Sequence, residues 1–263
     1  MDLNKEKIQS RLSGFFTGGK IHFLEETGST NTYATELLQK GAQEGDIVIA
    51  DYQTHGRGRM ERVWHSPSGK NIFTSIILKP DLDPSSASQV TLTAGVAVAE
   101  AISEFCNGKV TVKWPNDVLI EGKKVCGILS EMKTRNDKIE YVIVGIGINV
   151  NMDKGDFPEQ LQESSTSLKE ETGRYISRLD FAEDLFECFG TWYHKLHVEG
   201  FNPIRDEWLK YSNIIGREID VRDRDRTKRG RVAGLDNIGA LVIYDEKEKK
   251  SRVLSGDVTL IGD

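Results

Sequence analysis

The sequence predicts an α+β protein in which a mixed or antiparallel sheet, backed by helices, is followed by a small β-barrel. Short runs rich in β-branched residues alternate with polar turns, as strands of such a sheet do. Two longer segments instead space their apolar residues at helical intervals, and after residue 212 the chain changes to short strands separated by turns. We therefore expect one domain over residues 1–212 and a C-terminal barrel over residues 213–263.

The predicted elements follow one another in order. The first eighteen residues can hold one short helix, 21–24 is a short strand, and Ser29 or Thr30 can cap a helix that runs towards Lys40. Further strands are predicted at 46–50, 71–78, 109–113, 125–130 and 141–150, and in the C-terminal part at 218–221, 230–235, 240–244 and 258–261. The long helices are 89–105, with the pattern of a buried central helix, and an amphipathic helix that begins near Ser177 or Asp180.

Composition disfavours several classes of protein. The formal net charge of −6 over 263 residues argues against nonspecific binding to nucleic acid or to anionic membranes. No apolar run reaches the ~18 residues of a membrane span, and the N-terminal segment is too short for a helix-turn-helix module. Three unevenly spaced cysteines fit neither a disulfide framework nor a zinc site. We expect a cytoplasmic protein with neither DNA nor membrane as partner.

Residues 56–64, with the sequence GRGRMERVW, form a segment that we call the arginine loop. Its three arginines, together with Lys113, would repel one another around an empty pocket, and a bound anion would relieve that repulsion. Gly56 and Gly58 allow the backbone to approach such an anion closely. The alternative is a solvated turn, which the acidic net charge and the neighbouring polar cluster make the weaker interpretation. The loop therefore predicts a phosphate-bearing ligand that orders it.

A second polar cluster begins at Lys113 in the sequence KWPND. Its proline predicts a tight turn that projects the amide of Asn116 and the carboxylate of Asp117 from the end of a strand. A carboxylate can hold Mg²⁺, which usually accompanies a nucleotide. Lys124 can reach a carboxylate or an α-phosphate as a point charge, so this cluster can lower the barrier to bringing two anions together. Trp114 fits either a ligand wall or the core.

In their order along the chain, these motifs resemble those of the biotin protein ligases, also called biotin–acetyl-CoA-carboxylase ligases, in the form without an N-terminal DNA-binding domain. The resemblance covers nearly the whole chain. It rests on Gly28-Ser29-Thr30-Asn31, Gln53-Thr54, the arginine loop, KWPND at 113–117, Lys124 with Gly127, and GIGINVN at 145–151. It implies a class II synthetase-like catalytic domain followed by an SH3-like barrel. Taken alone, GIG at 145–147 is a weak nucleotide motif and favours a strand that passes close to ligand.

The resemblance also implies an ATP-dependent reaction in two steps. The carboxylate of biotin attacks the α-phosphate of ATP to give biotinyl-5′-AMP and pyrophosphate. A lysine of a biotin carboxyl carrier protein, part of acetyl-CoA carboxylase or a related carboxylase, then attacks the mixed anhydride. Biotin and ATP would be the substrates, Mg²⁺ would accompany ATP, and the protein would be a homodimer.

Individual roles follow from the same resemblance. The biotin-binding residues would be Ser29, Thr30, Asn31, Gln53, Gly56, Arg57, Arg59, Lys124 and Gly127. The ATP-binding residues would be Arg57, Arg59, Arg62, Trp64, Lys113, Asn116, Asp117, Lys124 and Asn149. Lys124, Arg59 and Asp117 would be catalytic, and Asp117 would also hold Mg²⁺. The segment 151–168 would form a second loop that orders over the ligand.

One residue departs from the family's pattern, and two other functions stay open. Glu61 stands where the family's arginine loop usually repeats a glycine, and we expect its carboxylate to pair with Arg57 or Arg62 in the open state of the loop. A lipoate or octanoate ligase of the same superfamily is one alternative, and a non-catalytic biotin sensor or transcriptional regulator is the other. Polar contact to a ureido ring distinguishes biotin from lipoate, and turnover distinguishes an enzyme from a sensor.

Overall fold

The computed structural model describes residues 3–12, 19–223 and 226–261. Within these ranges the helices are α1 (Lys5–Leu12), α2 (Thr30–Gln39), α3 (Ser88–Phe105), α4 (Leu168–Thr172), α5 (Arg178–Glu199) and α6 (Asn202–Tyr211). The strands are β1 (Ile21–Thr27), β2 (Ile47–Gln53), β3 (Ile72–Leu78), β4 (Val110–Lys113), β5 (Asp117–Ile120), β6 (Lys123–Arg135), β7 (Lys138–Ile148), β8 (Glu218–Asp223), β9 (Arg226–Leu235), β10 (Leu241–Tyr244), β11 (Lys250–Val253) and β12 (Asp257–Leu260).

The first seven strands form one mixed sheet in the order β1-β2-β3-β7-β6-β5-β4. Strands β1 and β2 are parallel and the other neighbours are antiparallel, which confirms the predicted fold class. The predicted strand over 125–130 proved to be part of the longer β6. Strand β5 was not predicted, because its short apolar run follows the KWPND motif directly and is only four residues long.

Helices cover both faces of this sheet. The central helix α3 packs on one face and contacts α5 and α6 behind it, as its buried pattern predicts. Helix α2 lies on the other face against β2, β3 and β7, where Ala34, Val48, Ile77 and Ile143 form a small apolar cluster. Ser177 caps α5, since its hydroxyl accepts a hydrogen bond from the Asp180 backbone N–H. None of the helices in the described ranges is long and apolar enough to cross a membrane.

A buried ion pair fixes the start of α5 to the end of β2. The Arg178 guanidinium lies 2.7 Å from Asp51 Oδ1, and both side chains are almost fully buried, with 1% and 7% of their surface exposed. Asp51 also accepts hydrogen bonds from the Ser68 hydroxyl at 2.6 Å and from the Gly69 backbone N–H at 3.0 Å. This carboxylate therefore holds the turn before β3 and the N-terminus of α5 in one place.

The remaining strands form a five-stranded antiparallel sheet in the order β11-β10-β9-β8-β12. The turn between β9 and β10 contacts helix α3, where the Gln89 side chain donates to Asn237 O at 2.8 Å. Trp114 is 2% exposed, and its indole N–H donates to Gly239 O at 3.3 Å. Trp114 is thus a core residue where the two sheets meet, which decides between the two interpretations that its sequence context allowed.

Candidate active site

A cavity of about 400 Å³ opens on the face of the large sheet that carries α2. The register of the strands builds its floor: Lys113 pairs with Asp117, Asp117 with Gly127, Gly127 with Gly147, and Gly147 with Phe73. Because directly paired residues on neighbouring strands share a face, this row points into the same space. Residues far apart in sequence are thereby brought to one site.

One end of the cavity is a buried hydrogen-bond network. Gln53 Oε1 accepts from the backbone N–H of Thr30 at 2.9 Å and from its hydroxyl at 3.2 Å. Ser75 Oγ lies 2.8 Å from Thr30 Oγ1 and 2.6 Å from Asn31 Oδ1. Ser29 is the backbone N-cap of α2, but its hydroxyl makes no capping hydrogen bond and lines the cavity. These donors and acceptors can engage an uncharged amide-like group.

Two glycines near this network allow close approach of other groups. A Cβ atom on Gly145 would lie 2.2 Å from Asn31 Oδ1. A Cβ atom on Gly56 would lie 2.4 Å from Trp64 O and 2.5 Å from Ser66 Oγ. Gly56 is buried and does not line the cavity, so its contribution in this structure is to let the arginine loop close on itself.

The arginine loop folds back across the cavity. The Trp64 backbone N–H donates to Gly56 O at 2.9 Å and closes the loop at its base. At its tip, Met60 and Glu61 have φ angles of 53° and 59°, in the left-handed region. Non-glycine residues adopt this region at a cost, so the tip of the loop stores backbone strain.

Acidic side chains of the protein itself neutralise the arginines. Arg57 pairs with Glu131 at 3.0 Å. Arg62 pairs with Asp257 Oδ2, and Arg59 lies 3.6 Å from Asp257 Oδ1. The repulsion that the sequence predicts is therefore relieved before any ligand binds. A bound phosphate would share these arginines with, or take them from, the two carboxylates.

The pairing of Glu61 with Arg57 or Arg62, which we expect in the open state of the loop, is not present here, where the loop folds across the cavity. Glu61 is exposed and belongs to none of the ion pairs in the described part of the chain, because the left-handed tip of the loop turns it to solvent. Lys113 likewise has no carboxylate within ion-pair distance among the described residues. Its ammonium group is the basic group of the cavity most available to a ligand.

Lys124 and Asp117 form the closest ion pair of the cavity floor, with Nζ 2.7 Å from Oδ1. The Lys124 ammonium also lies 5.3 Å from the centre of the Trp64 ring, within the range of a cation–π contact. Behind this pair, Cys126 is fully buried on the other face of the sheet. Burial raises the pKa of the Cys126 thiol far above its ordinary value, although Lys124 opposes that shift, so the thiol is not a nucleophile here.

Trp64 covers the glycines of the floor. A Cβ atom on Gly127 would lie 2.8 Å from Trp64 Cζ3, and one on Gly147 would lie 2.6 Å from Trp64 Nε1. The indole N–H has no hydrogen-bond partner in the described part of the chain. Gly127 was predicted to bind biotin, and the space above it is bounded by the indole ring of Trp64.

Segment 151–168 forms a further wall, to which Leu161, Ser164 and Ser165 contribute. The Lys124 backbone N–H donates to Ser164 O at 2.8 Å, and the Thr166 N–H donates to Lys124 O at 2.9 Å. Asn149 lies outside the lining residues, and its side-chain amide donates to Thr166 O at 3.1 Å. In this structure Asn149 therefore anchors the segment next to Lys124.

All the site residues predicted from sequence, except Gly56 and Asn149, line this one cavity. Sequence reasoning missed Ser75, Glu131 and Asp257, which contact the predicted residues. None of the three stands in a recognisable motif, and Asp257 is separated from Arg62 by 195 positions. Only the fold brings them to the site.

The carboxylates that line the cavity are Asp117 and Asp257. Among the described residues, no group of three or more His, Cys, Asp or Glu side chains could hold a metal ion. Mg²⁺ commonly binds proteins through one or two carboxylates together with substrate phosphates. The donor set at this site therefore fits an Mg²⁺ ion that arrives with a nucleotide, and Asp117 would be its protein ligand.

Two family models match the chain. Residues 23–149 match the Biotin/lipoate A/B protein ligase family, and residues 214–260 match the Biotin protein ligase C terminal domain. Among curated relatives, the bifunctional ligase/repressor BirA of Bacillus subtilis is 38% identical over 258 residues, which cover 98% of this chain and 79% of that protein. The biotin–acetyl-CoA-carboxylase ligase of Paracoccus denitrificans is 33% identical, covering 84% of this chain and 92% of that protein.

Solved structures agree with this relationship. The biotin protein ligase of Aquifex aeolicus, solved in complex with biotin and ATP, matches with a TM-score of 0.77 at 30% sequence identity. The match covers 92% of this chain and 98% of that chain. With relatives above 30% identity over most of their length, and with both family models in the same order, the chain belongs to the biotin protein ligase family.

Proposed function

We propose that the protein joins biotin to ATP and then transfers biotin to a lysine of a biotin carboxyl carrier protein. In the first step a biotin carboxylate oxygen attacks the α-phosphorus of ATP, and pyrophosphate leaves. In the second step the uncharged amine of the acceptor lysine attacks the acyl carbon of biotinyl-5′-AMP, and AMP leaves. The observation that carries the proposal is a single cavity with a buried uncharged polar end and a cationic end.

The uncharged end fits the ureido ring of biotin. Gln53 and Thr30 already bond to each other inside the protein, so their orientation is fixed before a ligand arrives. Ser29 adds a hydroxyl that is not used for capping. A ureido group has one carbonyl acceptor and two N–H donors, which such a set of hydroxyl and amide groups can match. The dithiolane ring of lipoate has no such groups, which favours biotin over lipoate.

The cationic end fits a carboxylate and a triphosphate side by side. Five basic side chains line the cavity, namely Arg57, Arg59, Arg62, Lys113 and Lys124, against the two carboxylates of Asp117 and Asp257. Two anions that must react repel each other, and fixed positive charges lower that barrier. Lys124, which pairs with Asp117, would contact both the biotin carboxylate and the attacked phosphate.

The arginine loop and segment 151–168 both line the cavity. We infer that they enclose the mixed anhydride and exclude water until the acceptor lysine arrives. When bound, Mg²⁺ would neutralise charge on the triphosphate, with Asp117 as its protein ligand. Asn149 acts in this scheme by anchoring segment 151–168 through Thr166 rather than by lining the cavity.

Three finer proposals accompany this function. We propose a catalytic domain over residues 1–212 and a C-terminal SH3-like barrel over 213–263, in keeping with the two separate sheets. We propose a homodimer, because the family resemblance implies one. We also propose a cytoplasmic location, which suits three cysteines that are all free thiols.

The test is release of pyrophosphate from ATP with biotin, with lipoate or with neither, followed by mass spectrometry of an added biotin carboxyl carrier domain. We expect release with biotin alone, and one biotin adduct on the carrier. Release driven by lipoate would assign the chain to lipoate attachment instead. Tight biotin binding without pyrophosphate release would show a sensor rather than an enzyme.

A further inference from the structure

The second sheet contributes one residue to the walls of the active-site cavity. Among the described residues that line it, Asp257 alone comes from β8–β12. Asp257 is the first residue of β12, and its side chain is 30% exposed. A carboxylate is unexpected in a cavity suited to anions, so its position calls for a physical explanation.

Asp257 and the residue before it hold the arginine loop at two points. The carboxylate pairs with Arg62 and lies 3.6 Å from the guanidinium of Arg59. The carbonyl oxygen of Gly256 accepts from both terminal nitrogens of Arg59, at 3.3 and 3.4 Å. Arg59 also donates to Asn116 Oδ1 at 3.0 Å. The loop is thereby tied to the second sheet and to the cavity floor.

The backbone at Gly256 is fitted closely to the strand beside it. Its φ angle is +134°, and a Cβ atom there would lie 2.7 Å from Val221 Cγ1 and 3.0 Å from Arg222 O. A side chain would push this segment away from β8. The glycine thus fixes the position from which the carbonyl of Gly256 and the carboxylate of Asp257 reach the loop.

These contacts oppose the strain at the loop tip. Met60 and Glu61 lie between Arg59 and Arg62 in the left-handed region, a conformation that neither side chain favours. If Arg59 and Arg62 did not make these contacts, relief of the backbone strain would favour movement of the loop out of the cavity. Arg59 and Arg62, which flank Met60 and Glu61, are two loop residues that contact the second sheet.

We propose that Asp257 is a positioning residue that latches the strained arginine loop over the cavity, so that Arg59 and Arg62 are in place before ATP binds. This inference rests on the proposed function for its effect on catalysis, but not for its effect on the loop. Asp257 acts through the two arginines and touches neither the reacting carboxylate nor the attacked phosphorus.

The first test is independent of function. Trypsin cleaves after Arg57, Arg59 and Arg62 when the loop is open, and mass spectrometry identifies those cuts in the folded protein. Asp257→Asn keeps the shape of the side chain and removes its charge, and we expect it to speed cleavage in the loop about twofold to fivefold, the effect of losing a partly exposed charge pair. Asp220→Asn is the matched control, because Asp220 pairs with Arg229 on the same sheet at 2.8 Å, outside the cavity lining.

The second test uses turnover. With biotin and ATP, and no acceptor, we expect Asp257→Asn to raise the KM for ATP and the release of biotinyl-5′-AMP by about twofold to fivefold each, with a smaller change in kcat. Asp220→Asn should match wild type in both. Asp257→Glu keeps the charge and all three tryptic sites, and it should be cleaved more slowly than Asp257→Asn, which a general loss of stability would not allow.

The outcomes separate the latch from the proposed function. Cleavage of Asp257→Asn at the wild-type rate would overturn the proposal that Asp257 holds the loop. A lower KM for ATP in this variant would also overturn it, because Asp257 would then compete with the phosphates of ATP for the arginines. Faster cleavage in a protein whose wild type releases no pyrophosphate with biotin would support the latch and overturn the proposed function. Equal cleavage rates in Asp257→Asn and Asp220→Asn would show that Asp257 has no specific role in positioning the arginine loop.

Discussion

The ammonium group of Lys124 lies 2.7 Å from the carboxylate of Asp117. Lys124 comes from β6 and Asp117 from the neighbouring β5, and both line the cavity. The main chain of Lys124 is held on its other side by segment 151–168, through Ser164 and Thr166. Lys124 is thus fixed by a charge partner and by the backbone, so its ammonium is placed without any ligand.

Replacing Lys124 by methionine should remove activation of biotin while leaving the fold intact. Methionine keeps the apolar stem that packs near Trp64 but lacks the charge that, as we propose, stabilises the reacting phosphate. We expect kcat for pyrophosphate release to fall about 10²–10³-fold, as when one preorganised charge-stabilising group is lost. Stopped-flow or coupled assays of pyrophosphate measure this directly.

Lys123→Met is the control for this change. Lys123 is the neighbouring residue on the same strand, is exposed, and does not line the cavity. Its variant should turn over at the wild-type rate. Equal losses in the two variants would mean that strand β6, rather than the Lys124 ammonium, had been disturbed, and wild-type turnover in Lys124→Met would remove Lys124 from the mechanism.

The methyl group introduced by Gly147→Ala should reduce the space above the cavity floor. Its Cβ would lie 2.6 Å from Trp64 Nε1, so either the indole ring moves towards the ligand space or the strand shifts. Overpacking of this kind typically costs about 1–3 kcal/mol. We expect Gly147→Ala to weaken biotin binding about tenfold or more, since 1.4 kcal/mol corresponds to a factor of ten. Isothermal titration calorimetry with biotin measures the change.

Gly155→Ala provides the comparison, because a Cβ atom at Gly155 meets nothing within 4 Å. This variant should bind biotin as wild type does. Biotin affinity that is unchanged in Gly147→Ala would show that Trp64 moves away freely when ligand binds, and that the glycine floor does not define the pocket.

The active-site cavity was largely predictable because most of its residues lie in short, recognisable motifs. Lys113, Asn116 and Asp117 fall within five positions, and the arginine loop supplies three more basic groups within six. Residue types at such short spacing can be recognised from the sequence alone. These motifs come together only through the strand register, which pairs Asp117 with Gly127 and Gly127 with Gly147. None of the motifs specifies that register.

What the sequence did not predict depends on distant contacts. Glu131 and Asp257 neutralise the arginines, yet one lies in a long strand and the other near the chain's end, among many similar acidic residues. Asn149 sits in a motif, but its amide turns to Thr166 rather than into the cavity. In both cases the partner is chosen by tertiary packing, so spacing along the chain carries no information about it.

The buried pair of Arg178 and Asp51 should be the most sensitive structural contact near the site. Removing the guanidinium leaves a carboxylate that is 7% exposed without its charge partner. Breaking such a pair typically costs about 3–5 kcal/mol, because the remaining charge is desolvated and uncompensated. We expect Arg178→Met to lower the free energy of unfolding by roughly that amount in urea denaturation.

An exposed pair offers the contrast. Arg229 pairs with Asp220 on the surface of the second sheet, and water already solvates both groups. Arg229→Met should therefore change the unfolding midpoint very little. If Arg178→Met were as stable as Arg229→Met, the hydrogen bonds from Ser68 and Gly69 would be sufficient to hold the Asp51 carboxylate without its ion pair.

The left-handed backbone at Glu61 makes the arginine loop sensitive to the residue at that position. Asparagine adopts positive φ more readily than other non-glycine residues, whereas a β-branched valine adopts it with difficulty. We expect Glu61→Asn to slow tryptic cleavage within the loop relative to wild type and Glu61→Val to speed it. The two variants remove the same carboxylate, so the difference between their rates reports backbone conformation and not charge.

The same pair of variants tests whether loop closure retains the intermediate. If the ordered loop protects biotinyl-5′-AMP, its escape into solution should follow the cleavage rates, with the valine variant leaking most and the asparagine variant least. Glu61 is exposed and forms no ion pair in the described part of the chain, so neither substitution removes a contact to the cavity. Equal leakage from variants that differ in cleavage would separate loop order from retention, and would move the barrier to water to segment 151–168.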